Sequence, residues 1–215
     1  MYKYILFDLD GTLTDPALGI TNSVMYALQK YNIEVADRSE LYKFIGPPLK
    51  DSFMKYYGFN EARAMDAIYF YREYFQPKGL YENEVYENIP MVLETLKNQG
   101  FRLILATSKP DEFATEILRH FDLLKYFDFV GGASMDELRS TKIQVLEYIF
   151  EHLNIKDKNQ AIMVGDREYD VLGAYQMGID SIGVLYGYGT FEELSTAGAT
   201  YFAQTPDGIL KILLQ

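Results

Sequence analysis

The apolar positions of this chain fall into short continuous runs separated by stretches with helical spacing. Lys3–Asp8 (KYILFD), Phe101–Thr107 (FRLILAT), Phe127–Gly132 (FDFVGG), Ala161–Asp166 (AIMVGD), Ser181–Gly187 (SIGVLYG) and Ala199–Gln204 (ATYFAQ) each read as a buried strand. Between them, Val92, Leu93 and Leu96 recur at helical intervals in a segment opened by Pro90 and closed by Gly100. Phe113, Ile117, Leu118 and Phe121 mark another helix, and Ile143, Leu146, Ile149, Phe150 and Leu153 a third. Val171, Ala174 and Tyr175 mark a shorter fourth. Strands alternating with helices predict a parallel sheet covered on both faces, an α/β, Rossmann-like, doubly wound core.

One segment breaks the alternation. Far more chain separates Asp8 from Phe101 than a crossover helix needs. Within it Ile20, Val24, Ala27, Leu28 and Tyr31 keep helical spacing, as do Phe53, Tyr56 and Tyr57, then Ile68, Tyr71 and Phe75. The pattern predicts a helical cap domain at residues 16–80, inserted after the first strand into a catalytic core of residues 1–15 and 81–215.

Composition narrows the picture. A chain of 215 residues that is 48% hydrophobic can bury a sizeable core and is too apolar for disorder. The absence of cysteine excludes disulfides, thiol nucleophiles and zinc–cysteine sites, and fits a reducing compartment. The N-terminus passes directly into a strand, and no apolar stretch reaches bilayer-spanning length, so the expectation is a cytoplasmic protein. A net charge of −11 argues against a nucleic-acid polymer or an anionic membrane as the main partner. It also means that any anion must be held at a local positive spot.

In an open parallel sheet, ligands bind beyond the carboxyl ends of the strands. The first strand delivers Asp8 and Asp10 there, the second Thr107, Ser108 and Lys109, and the fourth Asp166 with Asp170 one helical turn on; the loop after the third leads to Arg139 and Lys142. Asp8, Asp10 and Asp166 make an oxygen site suited to a hard divalent cation, with Mg2+ the best match. Gly11 removes a side chain where the backbone would pass near a phosphate, and Thr107 and Lys142 offer a hydroxyl and a positive charge to phosphoryl oxygens.

Each piece has a blander reading. Asp-x-Asp alone is more often a turn, Thr107 an ordinary strand end, Lys142 a solvated first-turn lysine and Asp166 a helix N-cap. A calcium-binding loop is excluded because Gly11 directly follows Asp10 and a strand precedes it. Both histidines, His120 and His152, fall near helix C-termini and receive no catalytic role; Ser108 and Ser134 lack a histidine base. The 19 tyrosines receive no individual role. The conjunction at successive strand ends carries the case.

These residues resemble the motifs of the haloacid dehalogenase-like superfamily, and within it phosphatases of the phosphoglycolate phosphatase and 5′-nucleotidase type. DLDGTLTD (Asp8–Asp15) matches the first motif, LATSKP (Leu105–Pro110) the second, Lys142 in LRSTK the third and GDREYD (Gly165–Asp170) the fourth. The resemblance covers the whole chain. It implies a Mg2+-dependent phosphomonoesterase in which Asp8 attacks phosphorus and Asp10 protonates the leaving oxygen and then activates water. It further implies that Mg2+ is held by the Asp8 carboxylate, the Asp10 carbonyl and Asp166, with Asp170 binding directly or through water. Gly11, Thr107, the Ser108 amide and Lys142 would hold the phosphoryl group.

A helical lid would close over small phosphorylated metabolites, and the protein would be a monomer or homodimer. The cap loop FIGPPL (Phe44–Leu49) resembles substrate-contacting loops of this group, which makes Gly46 and Pro47 candidate specificity residues together with Arg139; a rigid turn made by Pro47 and Pro48 is the equal alternative. The second motif reads TSK where many phosphoglycolate phosphatases show TNK, and these details also resemble bacterial nucleotidases and pyrophosphatases. A phosphosugar mutase on the same core and a non-catalytic binding protein are the remaining alternatives.

Overall fold

The computed structural model describes residues 2–136 and 138–215; Met1 and Glu137 lie outside the described residues. The chain begins with β1 (Tyr4–Phe7) and a two-residue β2 (Thr14–Asp15), then passes through three helices, α1 (Ala17–Gln29), α2 (Leu49–Tyr57) and α3 (Glu61–Tyr74). It continues through β3 (Glu84–Val85), α4 (Ile89–Asn98), β4 (Arg102–Pro110), α5 (Asp111–His120), β5 (Phe129–Ala133), α6 (Lys142–His152) and β6 (Ala161–Gly165). The remainder is α7 (Glu168–Met177), β7 (Asp180–Val184), α8 (Phe191–Ala197), β8 (Tyr201–Ala203) and α9 (Pro206–Leu213). Two compact units result: Met1–Asp15 with Val85–Gln215, and Pro16–Glu84.

The first unit is built on a six-stranded sheet in the order β5-β4-β1-β6-β7-β8, with parallel pairings throughout. This is the Rossmann-like α/β architecture. Period-two alternation explains its two cores. Leu6, Ile104, Ala106 and Met163 pack with Val145, Leu146, Ile149 and Phe150 of α6 and with Ala174 and Met177 of α7. The alternate residues Ile5, Phe7, Leu103 and Leu105 face the other way and are equally buried, so both faces are covered.

The strands lie where the apolar runs placed them, with informative differences. The second extends to Pro110 through a register shift between Ala106 and Pro110. The fifth stops at Val184 rather than Gly187. In α7, Val171 and Ala174 are buried but Tyr175 is 75% exposed, because Met177 fills the inward position instead. His120 and His152 do end α5 and α6.

The second unit is helical. Ile20, Val24, Ala27 and Leu28 of α1 are buried, as are Ala64, Ala67, Ile68 and Tyr71 of α3. Its interior is aromatic: Phe53 meets Phe44 at 5.1 Å and Phe59 at 5.9 Å between ring centroids. Residues up to Glu82 stay with this unit because the Gly19 N–H donates to the Glu82 carbonyl and the Asn22 and Tyr74 side chains donate to its carboxylate. Gly46, at φ +105°, and Pro47 form the turn ahead of α2. Among the described residues no helix is long and apolar enough to cross a membrane.

Phe53 is fully buried and touches two other rings. Phe53→Ala should therefore lower stability by about 3–5 kcal/mol. Urea unfolding followed by circular dichroism checks this, and a loss under about 1 kcal/mol would show that the cluster collapses around the missing ring.

Candidate active site

Sheet register delivers the chemistry to one edge. Phe7 lies level with Leu105 of β4 on one side and Val164 of β6 on the other. Asp8 therefore emerges at the carboxyl end of the central strand, its N–H donating to the Val164 carbonyl at 2.9 Å. Asp166 follows the end of β6, and Asp170 sits in the first turn of α7, where its Oδ2 accepts the Arg167 N–H at 3.1 Å. That bond makes Arg167, rather than Asp166, the residue capping the helix.

Asp8, Asp166 and Asp170 are buried and offer carboxylate oxygens that all lie within 4.8 Å of one another. Lys142, the first residue of α6, reaches them with its Nζ 3.0 Å from Asp8 Oδ1 and 2.6 Å from Asp170 Oδ1, and donates to the Ala106 carbonyl at 2.7 Å. Lys142 is thus the cation facing Oδ1 of Asp8 and of Asp170, while Oδ1 of Asp166 lacks a donor.

Burial pushes Asp166 well above the usual carboxylate range, reinforced by the charges of Asp170 and Asp8. Burial likewise raises Asp170 to about 6, against the pull of Lys142. Burial would lower the Lys142 ammonium, but Asp170 and Asp8 outweigh it and hold the group charged. A cation at a helix N-terminus opposes the helix dipole, and here the two carboxylates compensate it.

Three buried carboxylates with oxygens within 4.8 Å of one another, and neither nitrogen nor sulfur among them, suit a hard divalent cation. The residues thus fit such an ion.

The Asp10 side chain goes elsewhere. Its Oδ2 pairs with Lys109 Nζ at 2.9 Å, and burial pushes the carboxyl up while Lys109 pulls it back. The irregular end of β4 presents that lysine, and Thr107 in the same turn accepts the Lys109 N–H at 3.2 Å. Ser108 lies between them, partly buried.

Gly11 has φ +83°, and a Cβ there would fall 2.1 Å from Asp166 Oδ2, so the carboxylate itself demands the glycine. Arg139 does not present a free guanidinium: it donates to the Gly132 carbonyl and to Asp111, and lies over the Tyr148 ring. Gly46 and Pro47 belong to the helical unit.

Sequence reasoning gave no role to Lys109 or to the segment after β7. Tyr186 OH donates to the Thr12 carbonyl at 2.9 Å, and Tyr188 N–H to Asp166 Oδ2 at 2.8 Å. Tyr86 packs edge-on against Tyr186 at 5.1 Å. The available signal was GYG, Gly187–Gly189, since paired glycines around one side chain mark close backbone approach.

The chain is similar to known proteins. The family profile described as haloacid dehalogenase-like hydrolase matches residues 5–184. A 5′-nucleotidase of Pseudomonas aeruginosa is 43% identical over 99% of this chain and 96% of its own. Tyrosine-protein kinase PtkA of Mycobacterium tuberculosis is 36% identical over 92% of this chain and 67% of its own. Other relatives, at lower identity, are named pyrophosphatase and phosphoglycolate phosphatase. The crystal structure of a "predicted phosphatase" from Clostridium acetobutylicum superposes with a TM-score of 0.98 at 54% identity, covering 100% of this chain and 99% of that one.

The raised carboxyls generate a pH prediction. Asp170 moves from an ordinary 3.8 to about 6, so its contribution to folding is fully present below the unfolded value and is lost as pH rises through the folded one. Asp166 acts in the same direction. Metal-free protein should lose stability over that window. A divalent cation such as Mg2+ would bind the deprotonated carboxylates, so it should raise the melting temperature more at about pH 7.5 than at about pH 5. Equal Mg2+ shifts at both pH values, measured by differential scanning calorimetry, would contradict the assignment.

Proposed function

The chain belongs to the haloacid dehalogenase-like hydrolases, and from that premise we propose that it is a Mg2+-dependent phosphatase of small phosphomonoesters working through an aspartyl-phosphate. The carrying observation is the buried trio Asp8, Asp166 and Asp170 with oxygens within 4.8 Å of one another, Lys142 pairing with Asp8 and Asp170 and Asp166 Oδ1 lacking a donor. A bound Mg2+, held by these carboxylates, would neutralise phosphoryl charge and polarise the P–O bonds.

The chain's own residues would do the rest. An Asp8 carboxylate oxygen attacks phosphorus, and the ester P–O bond breaks. Asp10, whose carboxyl burial pushes up, gives its proton to the leaving oxygen. Asp10 then takes a proton from water as that water attacks phosphorus, and the Asp8–phosphorus bond breaks to release phosphate. Lys109 holds the Asp10 carboxyl through its ion pair. Lys142, held charged, attracts the phosphoryl oxygens, with Gly11, Thr107 and the Ser108 N–H completing their cradle. With Arg139 engaged by Gly132 and Asp111, substrate choice falls more naturally to the helical unit, where Gly46 and Pro47 shape a turn. The cysteine-free composition is in keeping with a cytoplasmic enzyme.

Phosphoglycolate-type substrates are the first reading, from the resemblance of the motifs, with TSK standing where many phosphoglycolate phosphatases show TNK. Nucleoside 5′-monophosphates are the second reading, favoured by the P. aeruginosa nucleotidase. Phosphate release from phosphoglycolate, nucleoside monophosphates, sugar phosphates and pyrophosphate, with and without Mg2+, ranks them. Asp8→Asn should lower kcat at least about 10³-fold on every substrate, because a transition-state contact made by the nucleophile is lost. A folded Asp8→Asn protein with near-normal turnover, or wild type that merely isomerises sugar phosphates, would overturn the reading.

A further inference from the structure

The segment that follows β7 holds one member of the trio, Asp166, from outside. Strand β7 ends at Val184, and the chain then folds back along the turn that carries Asp8 and Asp10. Tyr186 fastens to the Thr12 carbonyl at 2.9 Å. Gly187 runs so close that a Cβ there would lie 2.3 Å from the Gly11 carbonyl oxygen and 2.4 Å from Asp166 Cβ. Tyr188 then donates its N–H to Asp166 Oδ2 at 2.8 Å and its hydroxyl to Asp15 Oδ1. Gly189 passes against the Asp166 carbonyl, where a Cβ would fall 1.9 Å away.

This is a strap with its buckle at Tyr188. Its backbone fixes one Asp166 oxygen and leaves Oδ1, which has no donor, as the one available for coordination. Its hydroxyl is tied to Asp15, the last residue before the chain enters the helical unit at Pro16.

We propose that Tyr188 is a positioning residue for the metal site: its bond to Asp15 holds the 185–189 strap down, and the strap fixes the Asp166 carboxylate in the orientation that binds the divalent cation. The proposal rests on the metal reading given above. An N–H that fixes one carboxylate oxygen sets the direction of the other, and such supporting partners typically matter about 10–100-fold in metal affinity. Tyr188 touches neither substrate nor the reacting oxygens in this account. Its effect runs through Asp166 alone.

The test is Mg2+ titration by calorimetry, without substrate, on wild type and on Tyr188→Phe, Asp15→Ala and Asp15→Asn. Tyr188→Phe and Asp15→Ala should each weaken Mg2+ binding about tenfold. Asp15→Asn keeps an acceptor oxygen and should recover most of that loss. In the phosphatase assay, the Mg2+ concentration giving half-maximal rate should rise by a larger factor in Tyr188→Phe than the maximal rate falls.

Tyr188→Phe that is folded and binds Mg2+ as tightly as wild type would overturn the proposal while leaving the metal reading intact. Should that variant fail to fold, Asp15→Ala and Asp15→Asn decide: equal affinities for the two would overturn it as well. Wild type that binds no Mg2+ would remove both the metal reading and the proposal.

Discussion

Four buried carboxylates, Asp8, Asp10, Asp166 and Asp170, face two buried lysines, Lys109 and Lys142. Removing an ion from water costs several kcal/mol even after relaxation, and a pair repays that only when every lone pair and proton is used. Here they are not: Asp10 and Asp166 each keep an oxygen without a donor, and Asp8 and Asp170 share one lysine. The imbalance is resolved by protons or by a cation. The raised carboxyls of Asp166 and Asp170 are the proton solution, and the converging oxygens are the cation solution. Competition between the two ties metal binding to pH.

A sheet can impose such a cluster because its strands are fixed elsewhere. The central strand is packed on both faces by side chains with no exposure, and its register to β4 and β6 is uninterrupted up to Phe7. Slipping that register by one residue would turn Ile5 and Phe7 into the space of Leu6, where their shapes do not match the surrounding packing. Where β4 does lose its regular register, the displaced residues are Thr107, Ser108 and Lys109. The glycines at the edge follow from the same crowding: Gly11 and Gly187 both pass within contact of Asp166, leaving no room for a side chain.

The sequence made the fold legible because each strand was a continuous apolar run, which a two-sided burial requires. It made Asp8, Asp166 and Lys142 legible because they stand at strand ends or a helix start, positions that local pattern reveals. Partner identity was less accessible. That Lys109 takes Asp10 depends on an irregular strand end, and that Tyr188 reaches both Asp166 and Asp15 depends on where β7 stops. Neither leaves a periodic trace. Tyr175 shows the converse failure, since helical spacing alone cannot tell an inward aromatic from one that Met177 displaces.

The charge arithmetic also bears on substrate binding. Four acids against two lysines leave the site two charges short of neutrality when all are ionised. A phosphomonoester dianion entering that site would meet net repulsion, on top of the overall charge of −11. Two protons or one divalent cation remove the deficit, but protons do so by neutralising the carboxylates that are to coordinate the ion. On the proposed function Asp10 carries one proton to the leaving oxygen, and a cation that leaves Asp8, Asp166 and Asp170 ionised would offset the remaining charge, since Lys142 is already shared between Asp8 and Asp170.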